Sequence, residues 1–405
     1  MDNYTKSIFF CAAALIFSFN LVAQQNLYQV IVLNEGYSDW QTGEVLEPAT
    51  MGVFDPGLQV YTVVDTLEDA AFVSDAFVHD EMIYVAADGE ILKYDANTHQ
   101  LLQSVEVIGV RKMALKDGLI YVTRGDTDDQ GLSLELDSYF QWFDLATLQL
   151  VGELLVSENG PQYSGEGIVI SGDEVYVAIN NAFAWGSEVG FFGAYNTVTD
   201  TYEEWDLGAD GINPYHLFEV EDAIVSVNNR DYGSTSLSAL NVAEATVETV
   251  QVSAANAGCL AAVAVDQEVR FQISGEAAVR QSSPDALSVS TEWITDCPSF
   301  YGMAIDPVSG DVYGSVTDYS TFGFVQILDE AGVYVSEFQC GVSPGVICMD
   351  VRELSDVAGA SLTQDQVQNA QVRYDAAGRR LNNSSRIGGF TVDEHGRKSI
   401  MLNQR

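Results

Sequence analysis

One short strand motif recurs along the chain at intervals that fit the blades of a β-propeller. In its clearest copy, residues 299–340, four alternating or β-branched segments are separated by turn sequences such as PVSG and DEAG. The second segment of this unit returns with an aliphatic or aromatic residue at equivalent positions: Tyr84, Tyr121, Tyr176, Val225, Phe271 and Tyr313. Four strands every roughly 40–50 residues are typical of propeller blades. The sequence therefore predicts an all-β chain of stacked four-stranded units.

The two ends of the chain together supply one further unit. Six complete units lie between about residues 71 and 340. Strands two, three and four of a seventh are found near the start of the chain, at residues 28–33, 50–55 and 59–64. Residues 345–351, GVICMDV, match the first strand of the preceding unit. Pairing of this last strand with the first three would close the ring and remove an open sheet edge. We therefore predict a seven-bladed propeller over residues 25–353, closed by N- and C-terminal strands.

The third segment of six units ends with an apolar residue followed by Asp or Asn. The acidic or amide residues are Asp55, Asp95, Asp144, Asn196, Asn241 and Asp329. An Asx side chain can accept a hydrogen bond from the backbone two residues further on and so start a turn. We predict a structural role for this mark, at the turn into the fourth strand.

Both termini differ in character from the repeats. Residues 1–23 have Lys6 ahead of a short apolar run and the cleavage-like sequence Leu-Val-Ala at 21–23, which predicts a signal peptide and export. Residues 354–370 are small and polar and are predicted to be a linker. Residues 371–405 carry seven of the 17 basic residues and are predicted to form a separate, short β segment.

The charge of the chain excludes two classes of partner. The 59 acidic and 17 basic residues give a formal net charge of −42. Nucleic acid and anionic membrane surfaces both require a basic face on the protein. We therefore expect neither as a partner, and we expect no membrane span and a monomeric protein.

Cysteine usage fits an exported chain but leaves the pairing open. Cys11 lies in the predicted signal peptide, so four cysteines remain, and these allow three pairings. We favour Cys259–Cys297 and Cys340–Cys348. The alternative is that these residues are buried free thiols, because free cysteine packs as a small hydrophobic residue.

Long polar loops are predicted to gather at one end of the propeller. This end carries the loops from strand four to the next strand one and from strand two to strand three, and it includes Asn34 and Glu35. Aromatic rings beside amides and an arginine suit a sugar, a peptide or another polar ligand. The predicted ligand-binding residues are Asn180, Asn181, Trp185, Tyr215, His216, Asn228, Arg230 and Tyr301. The alternative is a plain rim whose tyrosines fill gaps between blades.

Two further hypotheses concern chemistry. Glu166, His216 and Arg111 could meet at the channel mouth as base, acid and anion clamp of a hydrolase or lyase. Asp126, Asp128 and Asp137 have nearly the spacing of a calcium loop around a glycine turn, although Asp stands where such loops place a bidentate Glu. The alternative for this loop is a solvated acidic turn. No other cofactor is predicted.

Several motifs resemble a known family. YVTR at Tyr121–Arg124 and YVAIN at Tyr176–Asn180 resemble the YncE-like, or YVTN, propellers. VIVLNEGYSDW at Val30–Trp40 is similar to the start of secreted surface propellers of Bacteroidetes, and VRYDAAGRRL at Val372–Leu381 resembles type IX secretion sorting segments. The resemblance implies a secreted or cell-surface, non-enzymatic module that binds an extracellular protein, peptide or glycan. Some related propellers, such as lactonases, are enzymes, so the hydrolase alternative stays open.

Overall fold

A computed structural model describes residues 25–353, apart from residues 40, 41, 43, 69, 71, 129, 259, 260 and 289, together with two short strands further along the chain. The chain divides into two compact units, Met1–Glu353 and Leu354–Arg405. In the second unit, Phe390–Val392 and Lys398–Ile400 pair as an antiparallel hairpin. The predicted signal peptide, the linker and most of the C-terminal segment lie outside the described residues.

Seven four-stranded antiparallel sheets, here called blades 1 to 7, make up the described part of the first unit. Strands are given in sheet order. Blade 1 consists of Pro344–Glu353, Gln25–Asn34, Ala49–Asp55 and Val60–Leu67. Blade 2 consists of Val73–His79, Met82–Ala87, Glu90–Asp95 and Leu101–Glu106. Blade 3 consists of Val110–Lys116, Leu119–Arg124, Ser138–Asp144 and Leu150–Leu155.

The remaining four blades have the same order. Blade 4 consists of Gly165–Ser171, Glu174–Ile179, Phe191–Asn196 and Thr201–Asp206. Blade 5 consists of Pro214–Val220, Ala223–Asn228, Thr235–Asn241 and Thr246–Ser253. Blade 6 consists of Ala262–Val265, Glu268–Gln272, Ala278–Ser282 and Thr291–Thr295. Blade 7 consists of Met303–Ile305, Val312–Val316, Phe322–Leu328 and Tyr334–Val342.

The first strands of the blades form a closed ring. Each first strand contacts the first strand of the next blade, and that of blade 7 contacts Pro344–Glu353 of blade 1. Blade 1 is itself closed by the two ends of the unit: Leu33 pairs with Val346 and Leu27 with Val351 in an antiparallel register. The predicted seven-bladed propeller and its mode of closure are thus confirmed.

Side chains along the second strand of a blade point alternately toward the two neighbouring blades and contribute to both interblade cores. In blade 2, Ile83 and Val85 belong to a core shared with blade 1, whereas Tyr84 and Ala86 belong to a core shared with blade 3. Successive side chains of a strand point to opposite faces, so a strand between two neighbours must be apolar at every position. The fourth strand is mostly exposed, and Leu101–Glu106 has no fully buried residue. This explains why the second strand carries the strongest repeat in the sequence.

The predicted Asx turns are present. Asp95 Oδ1 accepts hydrogen bonds from the amides of Asn97 and Thr98, at 2.9 and 2.8 Å. Equivalent bonds form at the other marked positions: Asp55, Asp144, Asn196, Asn241 and Asp329. Blade 6 lacks the mark and turns through the 3-10 helix Pro284–Ala286 instead.

Helices are few in the described part of the chain. They are three-residue 3-10 turns at Val156–Glu158, Arg230–Tyr232 and Pro284–Ala286. Tyr37–Ser38 and Val45–Glu47 add a small hairpin to the loop after Gln25–Asn34. Within the described residues, no helix has the length and apolar character needed to cross a membrane.

The predicted Cys340–Cys348 disulfide is wrong, because both residues are free thiols. Cys340 packs with Val30 between blades 7 and 1, while Cys348 packs with Ile31 between blades 1 and 2. The blade 1 sheet therefore lies between the two sulfurs, and burial raises the pKa of each thiol to about 12. Cys297 is also a buried free thiol, so the predicted Cys259–Cys297 disulfide is wrong as well, although Cys259 itself lies outside the described residues.

A polar cluster fixes the closing strand to blade 2. Gln29 Nε2 donates to Asp350 Oδ2 at 2.8 Å and to the carbonyl oxygen of Ala96 at 2.7 Å. Arg352 binds the same Asp350 carboxylate through Nε and Nη2, at 2.9 and 2.6 Å, and its guanidinium lies 3.7 Å from the centre of the Tyr28 ring. Asp350 is almost completely buried, so hydrogen bonds from Gln29 and Arg352 replace the water that would otherwise stabilise its charge.

Replacing Asp350 with alanine should destabilise the propeller by about 3 kcal/mol, because Arg352 and Gln29 would lose their shared buried acceptor. The measurement is the free energy of unfolding in urea. Glu276→Ala is the matched control: it removes a similar arginine contact, Arg280–Glu276 at 2.6 Å, that lies within one blade and is partly exposed. We expect that control to cost at most about 1 kcal/mol. Equal losses in the two variants would contradict a special role for the closing cluster.

Cys340 and Cys348 should react with a thiol reagent only after the protein unfolds, because burial disfavours both thiolates. Mass analysis after alkylation in denaturant without reduction should then find both cysteines alkylated on the one peptide that contains them. The same peptide without alkyl groups, two mass units lighter than its reduced form, would contradict the structure.

Candidate functional site

Two sets of loops meet at one end of the propeller, here called the loop end. The same backbone hydrogen bond joins the two sets in five blades. The amide just after strand two donates to the carbonyl oxygen just before strand one of the same blade. Antiparallel strands bring these segments to the same end of every sheet. The bonds are Glu35 to Ser343, Asp88 to Phe72, Gly125 to Gly109, Asn180 to Ser164 and Asn229 to Asn213. The loop end is therefore a connected surface around the channel mouth, as predicted.

A buried ion pair lies at the channel mouth between blades 3 and 4. Arg111 Nε donates to Glu166 Oε2 at 3.0 Å, and Nη2 donates to Oε1 at 2.9 Å. Burial disfavours the charged form of Arg111, but the Glu166 carboxylate more than offsets this and holds the pKa of Arg111 above its usual value. The third guanidinium nitrogen, Nη1, has no hydrogen-bond partner among the described residues. The bidentate geometry fixes the orientation of both side chains.

Two phenylalanine rings lie against the same guanidinium. The central carbon of Arg111 is 4.8 Å from the centre of the Phe72 ring and 5.2 Å from that of Phe183. Phe72 precedes the first strand of blade 2, and Phe183 lies in the loop after the second strand of blade 4. Residues from three blades thus converge on one cation, an arrangement that suits cation–π contact.

A cavity of about 250 Å³ opens beside this group and is here called the Arg111 cavity. Its walls include Arg111, both phenylalanine rings and the backbone of three glycines: Gly89, Gly109 and Gly125. A Cβ atom on Gly125 would lie 2.8 Å from the Phe183 ring, so only glycine allows this close approach. Asp88 and Asp126 also line the cavity. Acidic side chains, a guanidinium and apolar rings therefore share one small space.

The loop between Asn180 and Val189 connects the Arg111 cavity to an exposed aromatic pair. Its own hydrogen bonds hold its shape: Asn181 Nδ2 donates to the carbonyl oxygen of Ser187 at 2.8 Å, and the Val189 amide donates to that of Asn180 at 2.9 Å. Two residues after Phe183, Trp185 is 74% exposed and stacks on Tyr232 of blade 5, with ring centres 4.9 Å apart. The loop thus presents one ring to the cavity and another to solvent.

Glu35 forms a second polar centre at the closing blade. Tyr301 OH donates to both Glu35 oxygens, at 2.8 and 2.9 Å, and a Cβ atom on Gly345 would lie 2.4 Å from one of them. Burial raises the pKa of Glu35 to about 7, although the hydrogen bond from Tyr301 and the charges of Lys112 and Arg111 oppose this shift. A carboxyl group that changes charge near neutral pH therefore lies within electrostatic range of the Arg111–Glu166 pair.

Lys112 and Asp75 extend this group of charges. The Lys112 ammonium donates to the carbonyl oxygen of Ser74, and the Met113 amide donates to Asp75 Oδ2 at 2.7 Å. Burial raises the pKa of Asp75, while the nearby Lys112 charge opposes the shift. The first strands of blades 2, 3 and 4 thus place acids and bases alternately around the channel.

Two predicted ligand-binding amides have structural roles instead. Asn180 is fully buried and its Oδ1 accepts the Ala182 amide at 3.1 Å, which shapes the start of the loop. Asn228 is fully buried and its Nδ2 donates to Ser236 and Ser238, at 3.0 and 2.8 Å. Neither side chain is exposed to a ligand, so the structure does not support these two predictions.

The other predicted contacts lie at or near the surface of the loop end. Arg230 forms an ion pair with Asp210 at 2.8 Å. Tyr215 and His216 are half-buried on the first strand of blade 5, with ring centres 4.9 Å apart, and His216 stacks on Phe218. Of the predicted catalytic set, the structure joins Glu166 to Arg111 as an ion pair. Because both Glu166 oxygens accept hydrogen bonds from Arg111, Glu166 is poorly placed to act as a base.

The predicted calcium loop includes residue 129, which lies outside the described residues, so calcium binding there stays a prediction. Among the described residues, no group of three or more His, Cys, Asp or Glu side chains is placed to hold a metal ion. Asp126 Oδ1 accepts the Thr127 amide at 2.7 Å, and Asp128 Oδ1 accepts the amides of Gln130 and Leu132, both at 2.9 Å. Asp137 is exposed just before the third strand of blade 3. Backbone amides of the turn therefore bind one carboxylate oxygen of Asp126 and one of Asp128.

Sequence reasoning did not single out Phe72, Phe183, Asp75 or Lys112. Phe72 lies in an apolar stretch that has no distinctive pattern. A usable signal did exist in the adjacent pair Arg111-Lys112, since a chain with 17 basic and 59 acidic residues rarely places two cations together on an inner strand. The distance between the acids and these cations depends on ring geometry, which local sequence does not reveal.

Comparisons with known proteins bear on the fold. No protein-family model matches the chain, and no curated protein matches it. Among solved structures, a chain described as Kuenenia stuttgartiensis hydrazine synthase has a TM-score of 0.52 and 16% identity, over 71% of this chain and 97% of that one. A chain from a crystal structure of the mitotic checkpoint complex has a TM-score of 0.49 and 11% identity, over 78% and 96%. At 16% identity, the first similarity supports the β-propeller fold alone.

The raised pKa of Glu35 predicts that the free energy of unfolding depends on pH. Native Glu35 holds its proton up to about pH 7, whereas an unfolded glutamate releases it near its usual pKa of 4.5. The native state therefore binds more protons between these values, and stability falls as pH rises from about 4.5 to 7. Glu35→Gln should remove this loss, so we expect the variant to gain up to about 3 kcal/mol relative to the unchanged protein between pH 5 and pH 8. Urea unfolding at both values is the measurement.

Glu106→Gln, at an exposed position on the fourth strand of blade 2, is the control for this experiment. Its stability relative to the unchanged protein should not depend on pH. A Glu35→Gln variant that behaved in the same way would contradict a raised pKa at Glu35.

Proposed function

We propose that this protein is an exported, non-enzymatic propeller that uses its loop end to bind an extracellular protein, peptide or glycan. The β-propeller fold is compatible with an interaction module or an enzyme. Our choice depends on the exposed Trp185, which stacks on the partly buried Tyr232, and on the Arg111 cavity at the other side of the same loop. The protein would act as a monomer at the cell surface or outside the cell.

The exposure of Trp185 is the observation that carries this proposal. A tryptophan that is 74% exposed leaves a large apolar area in water. The loop is held by internal hydrogen bonds and the ring stacks on Tyr232, so its position is fixed before any partner arrives. Preorganised aromatic rings are frequent binding anchors, because little conformational entropy is lost when they are covered.

The hydrolase or lyase alternative has less support from the geometry. Its proposed base, Glu166, is buried and binds the guanidinium of Arg111 through both oxygens. A general base needs a free acceptor within hydrogen-bond reach of its substrate. Opening the Arg111–Glu166 pair would leave two buried charges unpaired, which is costly.

The proposed origin and location depend on sequence resemblance. We propose that the chain is a YncE-like propeller of the Bacteroidetes type, exported through the signal peptide at residues 1–23. Residues 371–405, after a linker at 354–370, would act as a short sorting segment of the type IX kind. The YVTR and YVAIN motifs and the basic character of the C-terminal segment support this proposal.

Trp185→Ala should weaken binding to partners found on a glycan and peptide array by at least tenfold, because it removes the exposed ring without touching a buried core. Tyr334→Ala is the matched control, since Tyr334 is 53% exposed and begins the fourth strand of blade 7, away from the loop end. Affinities for the array hits would be measured by calorimetry for all three proteins. Equal affinity of the two variants would contradict the loop end as the binding surface.

A further inference from the structure

We infer that the Arg111 cavity holds one neutral, polyhydroxylated ring of the size of a monosaccharide, with the adjoining ring of the same glycan lying on Trp185. This inference rests on the proposed function, because it assigns a ligand class to the same loop end. It selects a glycan over a protein or peptide as the partner.

The size of the cavity limits the ligand to a single small ring. Its volume of about 250 Å³ lies below the roughly 300–1,000 Å³ of sites that enclose drug-sized molecules. Three of its wall residues are glycines, so much of the wall is bare backbone and the cavity cannot narrow through side-chain movement there. A compact ring fits this space better than a peptide side chain joined to a long backbone.

The charges around the cavity disfavour an anionic ligand. Arg111 is already neutralised by Glu166, while Asp88 and Asp126 add two acidic groups to the wall. An acidic ligand would therefore meet a site of net negative charge. A cationic ligand would be attracted by Asp88 and Asp126, but it would have to contact the Arg111 guanidinium at the same wall. A neutral polar ligand meets no repulsion from either kind of charge.

The polar atoms of the wall match hydroxyl groups. Arg111 Nη1 can only donate hydrogen bonds, and it has no partner among the described residues. The carboxylate oxygens of the wall, such as those of Asp126, serve as acceptors of hydrogen bonds. A hydroxyl group both donates and accepts, so neighbouring hydroxyls on one ring can satisfy both kinds of partner. The Phe72 and Phe183 rings offer apolar surface to the carbon atoms of such a ring.

The aromatic loop allows a second ring to bind nearby. Phe183 and Trp185 are two residues apart, so their Cα atoms are separated by at most about 7 Å. One side chain lines the cavity and the other is exposed on the rim. The loop therefore offers one aromatic ring inside the cavity and a second one outside it to the same glycan.

The test uses the full-length protein with methyl glycosides of neutral hexoses, a uronic acid and an amino sugar, followed by saturation-transfer NMR and calorimetry. We expect the neutral glycosides to bind and the uronic acid not to bind. Phe183→Ala should weaken neutral glycoside binding at least tenfold. Phe183→Leu, which keeps apolar packing on Arg111 but removes the ring, should also weaken it and guards against a folding defect. Trp293→Ala is the matched control, because Trp293 stacks on Arg270 at 3.8 Å on the outer strand of blade 6.

Asp126→Asn tests the charge argument separately. The variant retains the oxygen that accepts the Thr127 amide, so the turn should remain intact. We expect neutral glycosides to bind it within threefold of the unchanged protein, and the uronic acid to gain affinity.

Three outcomes would overturn the inference. The first is tighter binding of the uronic acid or the amino sugar than of neutral hexoses by the unchanged protein. The second is loss of binding in the Trp293 variant equal to that in the Phe183 variants. The third is peptide binding through Trp185 with no glycoside binding, and this result would leave the proposed function standing. Absence of both peptide and glycan binding would overturn the two proposals together.

Discussion

The antiparallel pairing of Pro344–Glu353 with Gln25–Asn34 is the constraint on which the rest of the structure depends. Without it, blade 1 would lack its first strand, and the core between blades 7 and 1 would lose the packing of Ile347, Met349 and Val351. The same pairing brings Gly345 against Glu35, immediately after the end of Gln25–Asn34. Ring closure and the polar centre at the channel mouth are therefore produced by the same segments of chain.

The channel mouth combines groups whose charges depend on one another. Burial raises the pKa of Glu35 to about 7, and the charges of Lys112 and Arg111 oppose this shift. The Glu166 carboxylate in turn favours the charged form of Arg111. Glu35, the Arg111-Lys112 pair and Glu166 come from three different blades, so the ring sets the separation between these groups. The rings of Phe72 and Phe183 lie against the Arg111 guanidinium and so limit the part of it that a ligand can contact.

The fold could be predicted from sequence because its determinants are local and repeated. The second strand of a blade, as in Met82–Ala87, must be apolar on both faces. The turn after the third strand is marked by Asp95, which accepts hydrogen bonds from the amides two and three residues further on. The site was only partly predictable, because Asn180 and Asn228 occur in loop sequences but turn inward to bond their own blade. The Cys340–Cys348 prediction failed for a similar reason: proximity in sequence does not reveal which face of the sheet each side chain occupies.

The order of strands in blade 1 has a consequence for how the molecule reaches its native state. Gln29 and Asp350 bond across a sequence separation of 321 residues, so the partner of Gln25–Asn34 is the last strand of the seven blades to be synthesised. Contacts between such distant segments slow folding, because a long loop must close before they form. A nascent chain would keep an unpaired strand edge until Pro344–Glu353 has been made, and such an edge favours aggregation before the ring closes.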